Sequence, residues 1–157
     1  MTELHRAHVA SPVGALEVVC TDQGIRSIAF VEGPIVFEDD HHPHLLACMT
    51  QLSEYFEGNR KAFHSLTLRY ASTDVQRDVW EALMGVPFGE TVTYAELAKA
   101  AGHPGAARAV GTAMRLNPLV IIVPCHRVVP EGGGIGEYAR GVNRKEWLLN
   151  HEKNTRR

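Results

Sequence analysis

The residues with the most chemistry in this chain stand together at Cys125-His126-Arg127. They follow an aliphatic run, Leu119-Val120-Ile121-Ile122-Val123, and lie between Pro118 and Pro130. Such a run reads as a short buried strand. Buried His and Arg must be paired or hydrogen-bonded, so this strand is expected to deliver chemistry to a cleft rather than fill a core. Cys125 is the candidate nucleophile. Only the thiolate is strongly nucleophilic, and cationic neighbours or a base such as His126 lower the cost of forming it. The competing reading, that Cys125 is one more small buried hydrophobe, holds for most free cysteines.

Short helices on either side must hold that stretch. Thr73-Asp74-Val75-Gln76 and Thr93-Tyr94-Ala95-Glu96 are capping boxes, in which the Thr hydroxyl accepts from the backbone three residues on while Gln or Glu reaches back. The first opens a helix through Val79, Trp80, Leu83 and Met84 that ends at Gly85. The second opens a helix over 94–101 and sets Tyr94 in its first turn, beside free N–H groups and the positive end of the dipole. After His103-Pro104-Gly105 a further helix spans 106–115. Two short helices joined by a Gly/Pro turn form a helix-turn-helix, which either packs only on its own core or binds DNA. Arg108 and Arg115 share one face with Gly111 and Thr112 between them, whereas Val110 and Met114 lie on a face suited to the core. A surface of Ala, Gly and Arg lets a partner's backbone come close. Downstream, residues 132–136 are glycine-rich but carry no phosphate-binding signature, which leaves a flexible wall beside the thiol. Asn143-Arg144-Lys145-Glu146 is expected to cap a last helix carrying Trp147, Leu148 and Glu152.

The first half reads as scaffold. Residues 5–32 alternate as a three-stranded antiparallel meander with turns at Pro12-Val13-Gly14 and Asp22-Gln23-Gly24. Pro43 opens a helix with the stripe Leu45, Cys48/Met49, Leu52, Tyr55/Phe56, and 62–70 reads as a further extended piece. Glu38-Asp39-Asp40-His41-His42-Pro43-His44 gathers acids and histidines without the spacing of a known metal site, so it is read as a polar loop without function. The three cysteines, Cys20, Cys48 and Cys125, form neither an even set nor a metal motif, which fits a reducing compartment. No apolar run has membrane-spanning length and Met1-Thr2-Glu3-Leu4-His5-Arg6 is no secretory signal, so a cytoplasmic protein is expected. A net charge of −2 over 157 residues conceals a division. Residues 1–73 carry 5 Lys+Arg against 9 Asp+Glu, and residues 74–157 carry 11 against 9. Between Leu97 and Pro130 stand Lys99, Arg108, Arg115 and Arg127 with no acid, a local anion-binding signal.

Pro124-Cys125-His126-Arg127-Val128-Val129, Ala106-Ala107-Arg108-Ala109-Val110-Gly111, Asn117-Pro118 and Lys145-Glu146-Trp147-Leu148-Leu149 resemble, in order and spacing, the O6-alkylguanine-DNA alkyltransferases. The likeness covers residues 73–152, and 1–72 match more loosely through Ser11-Pro12-Val13-Gly14 and the strands that follow. It implies an α/β N-terminal domain over 1–72, RNase H-like with a small antiparallel sheet plus a helix, and a mainly α C-terminal domain over 73–157 with the helix-turn-helix. It also implies direct, single-turnover transfer of an alkyl group, mainly methyl, from O6-alkylguanine, or O4-alkylthymine, in double-stranded DNA to Cys125. Nucleotide flipping, a monomer of bacterial type, no cofactor and no metal go with that reaction.

The resemblance assigns roles residue by residue. His126, held by Glu152 and acting through a water, takes the thiol proton; Asn117 braces the turn before the active stretch. Tyr94 helps flip the nucleotide and protonates the guanine. Arg108 enters the base stack, with Ala107, Ala109, Gly111, Thr112 and Arg115 along the DNA. Tyr138, Ala139, Arg140, Trp80, Met114 and Val128 form the alkyl pocket. Thr21 and Arg26 stand where some relatives place zinc ligands, and Arg140 stands where many carry glycine. Arg140 is expected either to fill the pocket and exclude bulky adducts or to turn to solvent or a DNA phosphate. At this length no activation domain is expected, which argues against a transcriptional sensor. Three rivals stay open: a non-catalytic alkyltransferase-like protein, whose kind replaces the motif cysteine; a cysteine hydrolase; and a helix-turn-helix regulator with an inert thiol.

Overall fold

The computed structural model describes residues 3–35 and 38–155. The chain divides into two compact units, Met1–Ala71 and Ser72–Arg157.

The first unit is a three-stranded antiparallel sheet in the order β1 (His5–Val9), β2 (Ala15–Thr21), β3 (Gly24–Val31), with one helix, α1 (Pro43–Phe56), against it. Alternation places Ala7, Val9, Leu16 and Val18 in the core, and an irregularity in β3 opposite Val19/Cys20 brings Ile25 to the same side as Ile28, where Leu45, Cys48, Leu52 and Tyr55 of α1 meet them. The extended piece over 62–70 is hydrogen-bonded to β3 at Ile25, whose N–H donates to Thr67 O (2.7 Å) and whose carbonyl accepts from Arg69 N (2.7 Å). Gly24 makes this approach possible. It sits at φ 149°, and a Cβ there would lie 2.8 Å from Thr67 O.

Among its described residues the second unit carries four α-helices and strands short enough to act as ties: α2 (Asp74–Met84), β4 (Val92–Thr93), α3 (Tyr94–Ala100), α4 (Ala107–Arg115), β5 (Val128–Val129), α5 (Val142–Asn154) and a 3₁₀ turn, Cys125–Arg127. Both capping boxes form as the sequence predicts, Thr73 with Gln76 and Thr93 with Glu96. The helix-turn-helix is α3 and α4, which bury Leu97, Ala98, Val110 and Ala113 against α2. β4 pairs in parallel with β5. No helix among the described residues is long and apolar enough to cross a membrane.

Two expectations are corrected. Of the run over 117–130 only Val128–Val129 is strand, as β5: residues 119–123 fold back on themselves, with Val123 N donating to Leu119 O at 2.9 Å and Ile121 at φ 75°. A β-branched residue in that region costs of order 1–3 kcal/mol. The Asn117 side chain offsets this by accepting from Leu119 N (2.9 Å) and donating to Val123 O (2.8 Å). The aliphatic composition reported complete burial, Leu119 through Val123, which a turn meets as well as a strand. The last helix starts at Val142 with Gly141 as its N-cap, and no side chain caps it. Lys145, read from sequence as part of a cap, is instead fully buried.

Candidate active site

Cys125 opens the 3₁₀ turn and is 4% exposed. Its thiol is met by Asn117 Nδ2 at 3.1 Å and, at 4.0 Å, by Nη1 of Arg140. It lines a pocket of about 300 Å³ to which α3 contributes Tyr94, α4 contributes Gly111, Met114 and Arg115, and the segment before α5 contributes Glu137 to Arg140. Thus eight of the sequence-predicted residues, Cys125, Tyr94, Gly111, Met114, Arg115, Tyr138, Ala139 and Arg140, come together from four separate parts of the unit. The wall beside the thiol is 137–140; the glycines over 132–136 do not line it.

Trp80 and Val128, expected in the pocket, are not among its lining residues. The Trp80 indole N–H needs a partner when buried and finds Ala113 O at 2.8 Å, which holds the ring under α4. Val128 is fully buried in β5, opposite Val92. Met114 is half-buried and lines the pocket, whereas Ala113 takes the core position beside Val110. Ala107, Arg108 and Ala109 are exposed on the first turn of α4. Thr112 is half-buried and accepts from Arg115 Nη2 at 3.2 Å.

Beside the thiol lies a buried ionic network. Glu152 of α5 accepts from His126 Nε2 (2.7 Å), from Arg127 Nε (2.8 Å) and Nη2 (3.0 Å), and from Gly89 N (3.2 Å). Arg127 also donates to Val86 O (2.7 Å) and lies 5.9 Å from the Phe88 ring centroid. Burial alone would raise the Glu152 carboxyl, but the hydrogen bonds and charges of His126 and Arg127 together outweigh it and hold it well below the usual carboxylate range. Burial pulls His126 down despite its carboxylate partner, so the imidazole is neutral. With Glu152 accepting at Nε2, the proton sits there. Nδ1 is left with its lone pair and no hydrogen-bond partner among the described residues.

Burial raises the Cys125 thiol, against the Asn117 hydrogen bond and the charges of Arg140 and Lys145. The resting group is therefore a thiol, and a base is required to make the nucleophile. Burial likewise raises Tyr94, aided by the Glu137 carboxylate, and raises Tyr138, so both phenols keep their protons.

Lys145 is the participant that the sequence left without a role, whereas Arg127, counted there among the basic residues of an acid-free anion-binding stretch, is instead held by Glu152. Lys145 Nζ donates to Val128 O (2.7 Å) and Glu137 O (3.0 Å), tying the active turn to the pocket wall. Its only signal in the sequence was a charged residue four before Leu149 on a helix that otherwise turns Leu148 and Glu152 inward. Arg140 does not turn to solvent: Nη1 donates to Met114 O (2.9 Å) and Nη2 to Asn117 O (2.6 Å). These are carbonyls at the C-terminal end of α4 and just beyond it, where a cation is favoured.

Residues 4–70 match the family model for the 6-O-methylguanine DNA methyltransferase ribonuclease-like domain, and 74–154 the model for its DNA binding domain. A methylated-DNA–protein-cysteine methyltransferase of Salmonella typhimurium is 39% identical over 97% of both chains. One of Methanosarcina acetivorans is 38% identical over 95% of this chain and 98% of its own. Among solved structures, the Mycobacterium tuberculosis O6-methylguanine methyltransferase is 37% identical and superposes with a TM-score of 0.86, covering 99% of this chain and 96% of its own. The Mycobacterium tuberculosis OGT in complex with DNA gives a TM-score of 0.85 at 38% identity, covering 96% of this chain and 94% of its own. The chain, matched in both its units, belongs to the 6-O-methylguanine DNA methyltransferase family, the methylated-DNA–protein-cysteine methyltransferases.

Proposed function

We propose that this protein repairs O6-alkylguanine in duplex DNA by moving the alkyl group, mainly methyl, onto Cys125. The observation that carries this reading is the pocket itself: a buried thiol faces a cavity walled by the second helix of a helix-turn-helix, with a neutral imidazole beside it. A base stacked in a duplex cannot reach such a thiol, so the nucleotide must rotate out into the pocket. His126 Nδ1 takes the thiol proton through a bridging water, and the S–C bond forms as the C–O6 bond breaks. Tyr94, kept protonated, donates to the departing guanine, which balances the proton lost from the thiol. Asn117 holds the thiol and the turn in one geometry. A reducing, cytoplasmic setting fits this chemistry, with Cys20, Cys48 and Cys125 all free thiols. The test is mass spectrometry after incubation with a duplex carrying O6-methylguanine: one added methyl on the Cys125 peptide supports the reading, and an unmodified peptide with intact lesion removes it.

Arg108, exposed at the start of α4, is proposed to fill the stack left by the flipped nucleotide, with Ala107, Ala109, Gly111, Thr112 and Arg115 along the DNA. Arg108→Ala and Tyr94→Ala are expected to slow duplex repair by roughly 10- to 100-fold, the scale of a few kcal/mol of unstacking. Reaction with free O6-alkylguanine should fall less. Equal losses on both substrates would give these residues to the chemistry alone.

Arg140 is proposed to set the accepted alkyl size. It is anchored across the pocket by two backbone carbonyls, so admitting an aromatic adduct means breaking those bonds, at about 1–3 kcal/mol. Arg140→Gly should raise the ratio of benzyl to methyl transfer by roughly 10-fold or more. The ratio is the proper readout because losing this cation also raises the thiol further and slows both reactions. An unchanged ratio would place Arg140 outside the path of the adduct.

A further inference from the structure

The first unit gathers a second set of chemistry-bearing side chains. His5 begins β1, Asp22 lies in the turn between β2 and β3, and His42 is the N-cap of α1. One ligand atom from each lies within 4.8 Å of the others. His5 Nε2 is 3.9 Å and His42 Nε2 is 3.0 Å from Asp22 Oδ1. No spacing in the sequence announces this group, because its members come from three elements. The histidine patch was for that reason read as a loop without function.

Packing prepares the two imidazoles. Their side chains are only 20% and 17% exposed. Their ring centroids are 4.8 Å apart, and the His44 ring stacks behind His42 at 5.1 Å. His5 Nδ1 faces Asp40 Oδ2 at 3.4 Å. That carboxylate favours the proton on Nδ1, which leaves the Nε2 lone pair directed toward Asp22. A carboxylate behind an imidazole in this way fixes the tautomer and orientation of a metal ligand.

We propose that His5, Asp22 and His42 form a site for a borderline divalent transition ion, with Zn²⁺ as its representative, that clips the start of β1, the β2–β3 turn and the start of α1 together. Two imidazoles and one carboxylate suit zinc-class ions and not Mg²⁺ or Ca²⁺, which take oxygen ligands. Tetrahedral bonds of about 2.0–2.2 Å set ligand atoms about 3.4 Å apart. Asp22, with its side chain 87% exposed, has the freedom to turn toward both rings. The fourth position falls to solvent or to His44, whose Nε2 lies 3.3 Å from Asp22 O.

Binding moves one proton. His42 Nδ1 accepts from His44 N at 3.1 Å, which puts the ring proton on Nε2 toward Asp22. Coordination through Nε2 transfers that proton to Nδ1 and ends the cap bond. Two substitutions follow from this exchange. His42→Asn keeps a capping side chain and removes the ligand; Asp22→Asn keeps both rings and removes the charge.

The experiment uses the full chain stripped of metal, with Zn²⁺ alone as the probe. Calorimetric titration is expected to show one ion bound per chain, with a rise in Tm because the ion binds the folded state. Both His42→Asn and Asp22→Asn should weaken binding at least roughly 10-fold, the scale seen when a ligand or its support is lost. His42→Asn should leave the metal-free Tm unchanged, which separates a lost ligand from a damaged fold. Absence of saturable binding, binding that survives both substitutions, or binding lost in Cys125→Ser would overturn the proposal. None of these readouts depends on alkyl transfer.

Discussion

Cys125→Ala is expected to end alkyl transfer completely while leaving affinity for duplex DNA unchanged. The two functions draw on different side chains: Ala107, Arg108 and Ala109 are exposed on α4, whereas the thiol is 4% exposed and contributes nothing to the outer face. No other thiol substitutes. Cys48 lies in the core of the first unit, where burial pushes it up to about 12. For the parent protein the same reasoning gives one alkyl group per chain, since a thioether offers no good leaving group. A methyl-transfer assay paired with an electrophoretic binding assay checks both halves. Residual transfer in the alanine variant would move the acceptor elsewhere, and turnover beyond one equivalent would require a thioether-cleaving step that the site does not contain.

Glu152→Gln is expected to lower the transfer rate by roughly 10²–10⁴-fold, the range for losing a base held in its working tautomer. The carboxylate accepts from His126, Arg127 and Gly89 at once. An amide has one acceptor oxygen and an NH₂ that must face one of these donors. Opposite His126 Nε2 it turns that nitrogen into an acceptor, moves the ring proton to Nδ1 and removes the base from the thiol side. The same change leaves the buried Arg127 guanidinium without its counter-charge, which costs about 3–5 kcal/mol of stability. Adding Arg127→Met should recover stability, because a buried pair replaced by an apolar residue is close to neutral. The rate should stay low. Recovery of both together would mean that Glu152 serves only the fold.

The pH dependence of stability follows from the same network. In an unfolded chain Glu titrates near about 4.3 and His near about 6.5. Both Glu152 and His126 are depressed in the folded protein, so in both windows the unfolded chain binds more protons. Stability is therefore whole above about 6.5. It declines as pH falls past that value, and declines further below about 4.3 as Glu152 approaches its depressed value. Denaturant unfolding between neutral and acid pH checks the order, and Glu152→Gln should remove the lower step.

Local chemistry made much of this protein legible in its sequence. The meander, both capping boxes and the Gly/Pro turn between α3 and α4 depend on neighbours within a few residues, and each formed where periodicity and turn residues placed it. What the aliphatic run over 117–130 does was not local. Burial on every side removed the alternation that distinguishes strand from turn, and a side chain, Asn117, supplied the hydrogen bonds that a neighbouring strand would have made. Charge partners were equally hidden: Arg127 and Glu152 are 25 residues apart and Lys145 reaches carbonyls on two segments, so neither pairing leaves a spacing to read. Whether Cys125 rests as thiol or thiolate was decided by burial against the charges of Arg140 and Lys145. That balance exists only once the tertiary structure has excluded water, because desolvation and Coulomb attraction grow together as the local dielectric falls. Sequence determined which groups were present; the packed interior decided which of them carry charge.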